Sequence, residues 1–265
     1  VNTSQTIPRL HSTNDAAAHK ARIMAKGLPE KKPLPGIIMI VSVNLACAMK
    51  VIEPDKDIGL LDADVFGPSV PLMMNISGEP MLNDDNLIEP LLNYGNAVVW
   101  RGLMVMQALD RLTRHVAWGP LDCLIVDTPP GTGDTHLSLA QNLPIDVVTT
   151  PQSAALQVTK RGVNMFEKLK VPIIGMVENM SHAICMKCGA KNHIFGNDTK
   201  QTAEQLNLDI IQSFEVDQNM SDCINKGKPA IYALPDSVHA EKYRHLANKV
   251  FKYIEDKNKA MEVKN

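Results

Sequence analysis

The stretch "LIVDTPPGTGD", Leu124 to Asp134, sets three apolar residues before a carboxylate and then turns at once through two prolines, Gly131 and Gly133. Leu-Ile-Val is strand material and Pro-Pro-Gly-Thr-Gly cannot continue a strand, so Asp127 stands at a strand's end. A carboxylate fixed there can hold magnesium through the ion's water shell, and a glycine-bearing loop can swing toward a terminal phosphate. A lone Asp after an apolar run is more commonly a helix N-cap. The complete string, with both glycines, favours the magnesium reading.

Working outward, five more strand-like runs surround this one: "IIMIV", "DIGLLDAD", "DVVTTPQ", "VPIIGMVENMS" and "LDIIQSF". Helical patterns are predicted between or after them, at 103–115, 134–142, 152–169, 199–206 and 238–256. Strands rich in Val, Ile and Leu that alternate with helices predict the α/β class, a mostly parallel doubly wound sheet covered on both faces. Such sheets bind ligands at the carboxyl ends of their strands. Asp62, Asp64, Asp127 and Asn179 fall there. In "GLLDADVFGPSV" the first two carboxylates are two residues apart and would point to one side of an extended chain. One could order magnesium while the other orients an attacking water as general base. The competing reading is a turn before "GPS", in which Asp bonds to its own backbone.

The bulk numbers narrow the function classes. A chain of 265 residues with 45% hydrophobic content can bury one large core or two modest ones. A net charge of -2, a pI near 6.5 and 4% aromatic residues supply neither the field nor the stacking platforms that nucleic acid needs, so none is expected as a partner. The longest apolar run, 37–41, falls well short of the roughly 18 residues of a membrane span, and no transmembrane segment is expected. Five cysteines without regular spacing argue against a secreted disulfide framework and for a reducing compartment. Residues 1–22 carry hydroxyl side chains, Arg9, Lys20 and Arg22 but only Asp15 as an acid, a composition similar to the tail of a mitochondrial transit peptide. A frayed polar terminus has the same composition. The domain reading is an N-terminal extension over 1–35 closing on the Pro- and Lys-rich "LPEKKPLPG", a nucleotide-binding-type domain over 36–256 and a polar tail over 257–265.

Cys185 and Cys188 lie at i and i+3 in "ICMKCG". Two thiolates so spaced on a tight loop can chelate one soft-metal edge, with His193 as a candidate third ligand of a zinc site, or form a redox pair, or do neither. Cys47 in an apolar helix and Cys123 in the strand before Asp127 read as small core hydrophobes. Cys223 is given no role.

Taken together, "GLLDADVFGPSVP", "VVWRGLMVM", "DTPPGTGD", "TTPQSAAL", "VENMS" and "CMKCG...HIFG" resemble the Mrp/ApbC branch of the MinD-type P-loop ATPases. The resemblance runs in the family's order from about Ala21 to Tyr253, and it is closest to the mitochondrial nucleotide-binding-protein-like (Ind-type) members. It implies an iron–sulfur (4Fe–4S) carrier or assembly factor for respiratory complex I in the mitochondrial matrix, or alternatively the cytoplasm, with ATP and Mg2+ as family cofactors. Asp62 and Asp64 match the switch I carboxylates, Asp127 the Walker B aspartate, and Gly131 and Gly133 switch II. Asn179 matches the asparagine that reads the adenine edge, and Cys185 and Cys188 the cluster pair. "EVDQNMSDCINKGKPAIYA" is similar to the family's loop over the base, with Val216 or Asp217 where the family usually has Pro. Four thiolates around a four-iron cluster require two chains, hence a homodimer, and the partners are acceptor apoproteins such as complex I subunits.

One family signature is missing from the string. Between its first strand and helix the family has a deviant P-loop, G-K-G-G-V-G-K-[ST], whose backbone N–H groups and lysines wrap the phosphates. Here "IIMIV" leads straight into "SVNLACAMK", with no glycine between Gly36 and Gly59, Ser42 as the nearby hydroxyl and Lys50 a helical turn or more too late. The chain also runs short around "LLNYGNAVVWRG" and "NLPIDVVTTPQ", with family sequence intact on both sides. The expectation is a sheet incomplete at its first strand–helix junction and one core strand short, with phosphate binding lost and stability low. The alternatives to the carrier reading are a non-catalytic zinc or thiol interaction module and an inactive splice or gene-model variant. A spatial-partitioning ATPase is disfavoured, because its membrane-seeking terminus is not found in the polar "DKNKAMEVKN" and it has no use for a C-x-x-C.

Overall fold

In the computed structural model, residues 37–38, 43–64, 70–75, 82–85, 87–88, 116–128, 145–185 and 187–262 are described. The N-terminal extension, the helices expected at 103–115 and 134–142, Ser42, Gly131 and Gly133 lie outside the described residues. What is described alternates strand and helix as the apolar runs predict. In chain order these are β1 (Ile37–Ile38), α1 (Val43–Ile52), β2 (Ile58–Asp62), α2 (Val70–Met74), β3 (Cys123–Asp127), β4 (Ile145–Thr149) and α3 (Ser153–Lys168). There follow β5 (Ile173–Glu178), β6 (Ala183–Ile184), β7 (Lys191–Asn192), α4 (Thr199–Gln205), β8 (Ile210–Ser213), α5 (Gln218–Asn225), α6 (Ala230–Ala233) and α7 (Val238–Glu262).

The strands form two parallel three-stranded ladders, β1-β3-β2 and β4-β5-β8. β1 lies beside β4, which gives the order 2-3-1-4-5-8, although among the described residues no ladder bonds join the two halves. In β3 every residue is buried: Cys123 and Ile125 face one layer, Leu124 and Val126 the other. That pattern belongs to a strand covered on both faces and explains why the run reads as continuously apolar.

Helix packing fixes the core on one side. α1 is apolar nearly all round, and Val43 through Met49 are buried, so it sits inside the fold rather than on it. Its one polar interior residue, Asn44, is satisfied because its Oδ1 accepts the Ala230 N–H at 2.7 Å and so starts α6. α7 lays Leu246, Ala247, Val250, Phe251 and Ile254 against α1 and the sheet, at the 3- and 4-residue spacing of one helical face. Ser237 begins α7 by accepting the Ala240 N–H at 3.1 Å. The helix continues to Glu262, so the segment expected as a polar tail from 257 is helical over its first residues. Lys50, too late for a phosphate loop, donates instead to the carbonyls of Pro54 and Lys56 at 2.9 and 2.8 Å and closes the turn after α1.

Candidate functional site

The sheet order delivers the first cluster. β2 and β3 pair in parallel register with Asp62 opposite Asp127, so two strand-end carboxylates stand side by side, 2% and 4% exposed. Asp62 accepts the Asp64 N–H at 3.1 Å through one oxygen and the Val70 N–H at 3.1 Å through the other, which orders the turn and starts α2. Burial, and then the charges of Asp62 and Asp64, push the Asp127 carboxyl up to about 7. Burial and the neighbouring negative charges thus favour the protonated form of Asp127. The alternative expected for Asp62, a turn in which Asp bonds to nearby backbone, is therefore formed, and it coexists with the pairing of Asp62 and Asp127.

The second cluster rises from the other half-sheet. Asn179 follows β5, its N–H bonded to the Thr149 carbonyl at 2.7 Å and its Oδ1 accepting the Met180 N–H at 3.1 Å. From Ala183 the chain enters the antiparallel β6–β7 hairpin, with Ala183 opposite Asn192 and Ile184 opposite Lys191. Cys185 and Cys188 sit in its loop, both exposed, while Cys47, Cys123 and Cys223 are buried. The loop is pinned by the Cys185 N–H to the Ala190 carbonyl and the Gly189 N–H to the Cys185 carbonyl, at 2.9 and 2.8 Å. Gly189 takes φ +70, a left-handed conformation that glycine adopts without penalty. Backbone N–H groups of Cys188 and Lys187, then the Cys188 side chain, hold the Cys185 thiol below its ordinary value. Burial drives the Cys47 and Cys123 thiols the other way, to about 12. The accessible thiols are thus the hairpin pair, and of these Cys185 is the one its surroundings make more acidic.

His193 does not join them. Its Nδ1 lies 3.1 Å from the Ser181 carbonyl oxygen and its ring tilts against His182 at 5.7 Å, so it braces the hairpin's root. Among the described residues no three His, Cys, Asp or Glu side chains gather closely enough to hold a metal ion.

Sequence reasoning missed the groups beneath the hairpin. Asp217 caps α5 by accepting the Asn219 N–H at 2.7 Å, and its other oxygen is 3.3 Å from Nδ1 of buried His239. Glu215 pairs with Lys242. The Asp before "QNMSDCIN" is a helix-start signal. Nothing in the string points to His239, whose partners lie far away along the chain.

Parallel ladders ordered 2-3-1 and 4-5-8, with Asp62 and Asp127 side by side at the ends of β2 and β3, belong to the fold of the MinD and ParA ATPases. The structure superposes on the cell division ATPase MinD of Pyrococcus furiosus with a TM-score of 0.63 at 17% identity, covering 83% of this chain and all of that one. It superposes on a nucleotide-binding protein of Archaeoglobus fulgidus, solved with ADP, with a TM-score of 0.60 at 27% identity, covering 74% and 88% of the two chains. Within that class, the family described as "ParA: NUBPL iron-transfer P-loop NTPase" matches residues 39–251, and this chain belongs to it. Among its relatives is the iron-sulfur cluster transfer protein NUBPL of Mus musculus, 41% identical over 266 aligned residues that take in 89% of this chain and 83% of the mouse protein. An Arabidopsis thaliana protein, named as an iron-sulfur protein required for NADH dehydrogenase, mitochondrial, is 41% identical over 81% of this chain and 74% of its own. The span shared with the mouse protein is longer than the part of this chain within it, so the mouse protein has residues there without counterparts here.

Proposed function

We propose that this protein is a mitochondrial iron–sulfur cluster carrier. Its cargo is a 4Fe–4S cluster gripped by Cys185 and Cys188 and by the same pair from a second copy, and it is delivered in the matrix to apoprotein subunits of complex I. One observation carries the reading: in a chain of this family, the two exposed cysteines share one pinned hairpin loop, and the Cys185 thiol is held below its ordinary value. A four-iron cluster takes four thiolates, and one loop supplies half of them. A two-fold axis through the hairpin supplies the rest and leaves the cargo at a surface where an acceptor can reach it. A zinc site built on the same cysteine pair is the second reading, and metal analysis separates it from the first.

The nucleotide half supports a weaker role. On this reading Asp62, Asp64 and Asp127 would act on magnesium through its water shell, Gly131 and Gly133 would be the switch II glycines and Asn179 would read the adenine edge, as the family resemblance implies. Phosphate binding is impaired, because the string between β1 and α1 offers no glycine and no lysine before Lys50. The residues that the mouse protein has and this chain lacks support a chain shortened by splicing or by its gene model. Sequencing the transcript is expected to reveal the loop codons. Tight magnesium-dependent ATP binding by the purified chain would overturn the loss.

The deciding experiment is anaerobic reconstitution followed by absorption spectroscopy and metal analysis. The chain is expected to take up about two iron and two sulfide per copy, half of a four-iron cluster. A Cys185→Ser/Cys188→Ser double variant that loads equally well sinks the proposal, and zinc without sulfide would favour the interaction-module reading.

A further inference from the structure

The hairpin that carries the cysteines cannot hold its own position. It consists of one two-residue antiparallel pair, and an isolated hairpin even of ordinary length is marginal in water. Something else must fix where Cys185 and Cys188 stand. Its root is bonded to a single short segment, 214–217, that leaves the end of β8. The Ser181 N–H donates to the Phe214 carbonyl at 2.8 Å, the Ser181 Oγ donates to the same carbonyl at 3.0 Å, and the Val216 N–H donates to the His182 carbonyl at 2.8 Å. Ala183 bridges Val216. The hairpin therefore stands wherever this segment stands.

The segment is in turn held from outside the sheet by the first turns of α7. His239, 4% exposed, spans it: Nδ1 is 3.3 Å from an Asp217 carboxylate oxygen and Nε2 is 3.2 Å from the Glu215 carbonyl oxygen. Both ring nitrogens face acceptors. One turn on, Lys242 pairs with the Glu215 carboxylate, and the Phe214 ring stacks against Tyr243 at 4.3 Å. Phe214 also donates its N–H to Glu178 at the end of β5, which ties the segment to the strand that carries Asn179.

We propose that His239 and Asp217 are positioning residues for cluster binding: through segment 214–217 they clamp the hairpin's root to α7, so that the cysteine loop is aimed by a helix far away in the chain. The inference rests on the carrier reading for its purpose, and on the bonds above for its substance. Breaking the clamp loosens the hairpin and leaves the core standing, because the clamp lies outside the α1–α7 interface. A ring nitrogen of buried His239 that loses its acceptor is costly to leave unsatisfied, so the local effect reaches the hairpin's root.

The test uses the full chain and two variants. Asp217→Asn keeps a good N-cap for α5 while removing the charge that faces His239. His239→Gln keeps a polar side chain at the position. Hydrogen exchange is read at the Ser181, Val216 and Cys185 amides in the protein without cluster. Each variant is expected to exchange there at least about tenfold faster than the unaltered chain, while amides of α1 and β3 keep their rates. The double variant is expected to match the worse single variant, the non-additivity of residues that act as one contact. In the reconstituted protein, the cluster is expected to decay several-fold faster at unchanged initial loading. Equal exchange at the three amides, or additive effects in the double variant, overturns the clamp. Since the exchange arm needs no cluster, a failed Cys185→Ser/Cys188→Ser control would strike the carrier reading alone.

Discussion

The two halves of the sheet solve opposite electrostatic problems. At the ends of β2 and β3 the candidate side chains are carboxylates packed against one another below the surface, with Asp127 pushed up to about 7 by burial and by Asp62 and Asp64. Beyond β5 they are the exposed thiols of Cys185 and Cys188, and backbone N–H groups make Cys185 more acidic. The first arrangement is under strain until a cation or proton arrives. The second costs the fold little and depends on aim.

Core packing joins the halves, so the largest effect is expected where they are tied together. Leu246 of α7 is fully buried in the cluster that includes Met49, Cys123, Ile125 and Val177, residues from α1 and from both ladders. Leu246→Ala should cost about 2–5 kcal/mol of stability, the usual range for such a truncation. Chemical denaturation monitored at both halves checks it. Loss of one half at lower denaturant than the other would show two separately stable units and break the picture of a shared core. For a chain expected to be of low stability, this substitution should leave little folded protein at 37 °C. A sharp melt at high temperature in the unaltered chain would contradict the expectation.

The acidic half predicts a pH dependence of opposite sign to the ordinary carboxylate case. A carboxyl raised from about 3.8 in the unfolded chain to about 7 in the folded one keeps its proton in the native state across that window. The native state then binds more protons, so this group's contribution to stability falls as pH rises from about 4 to 7 and levels off above. Asp127→Asn removes the dependence. The variant should gain on the parent by up to about 4 kcal/mol at pH 8, an upper bound for a shift of three units, and by nothing near pH 4. Thermal melts of both proteins over that range measure it, and a constant difference would show that the three carboxylates do not repel. Magnesium at millimolar levels should raise the parent's melting temperature at pH 8 and leave Asp127→Asn unmoved.

How much of this was legible in the string differs between the halves for a physical reason. Strand ends are written locally: Leu-Ile-Val before Asp127, and Asp62 at the close of an apolar run, announce carboxylates at a sheet's ligand-binding edge. The hairpin pair is written locally too, as C-x-x-C with a glycine behind it. His239 and Lys242 are not, because their meaning depends on where α7 crosses the β8 exit, a tertiary fact with no short-range signature. The same limit explains the cysteine contrast. Cys123 was legible as a core residue from its strand, whereas the acidity of Cys185 comes from the loop's geometry, which the spacing permits and does not specify. The final helix ran past its expected end because residues such as Lys257 and Lys259 are good helix formers whatever their polarity, and polarity was mistaken for a stop.

The smallest expected effect is also the most local. Gly189 has φ +70, and a Cβ added there would meet nothing within 4 Å, so an alanine at this position suffers from backbone conformation alone. That cost is about 1 kcal/mol, too small to disturb the core and large enough to reshape a short loop. The Gly189 N–H holds the Cys185 carbonyl at 2.8 Å, and the turn so closed is what turns the backbone N–H groups of Lys187 and Cys188 toward the Cys185 sulfur. Gly189→Ala should therefore move the pH midpoint of Cys185 alkylation upward, toward that of an ordinary thiol, while the global melting temperature changes by little. If the midpoint stays where it is in the parent, the acidity of Cys185 does not come from the turn, and the thiol half of the molecule is less shaped by its backbone than the carboxylate half is by its burial.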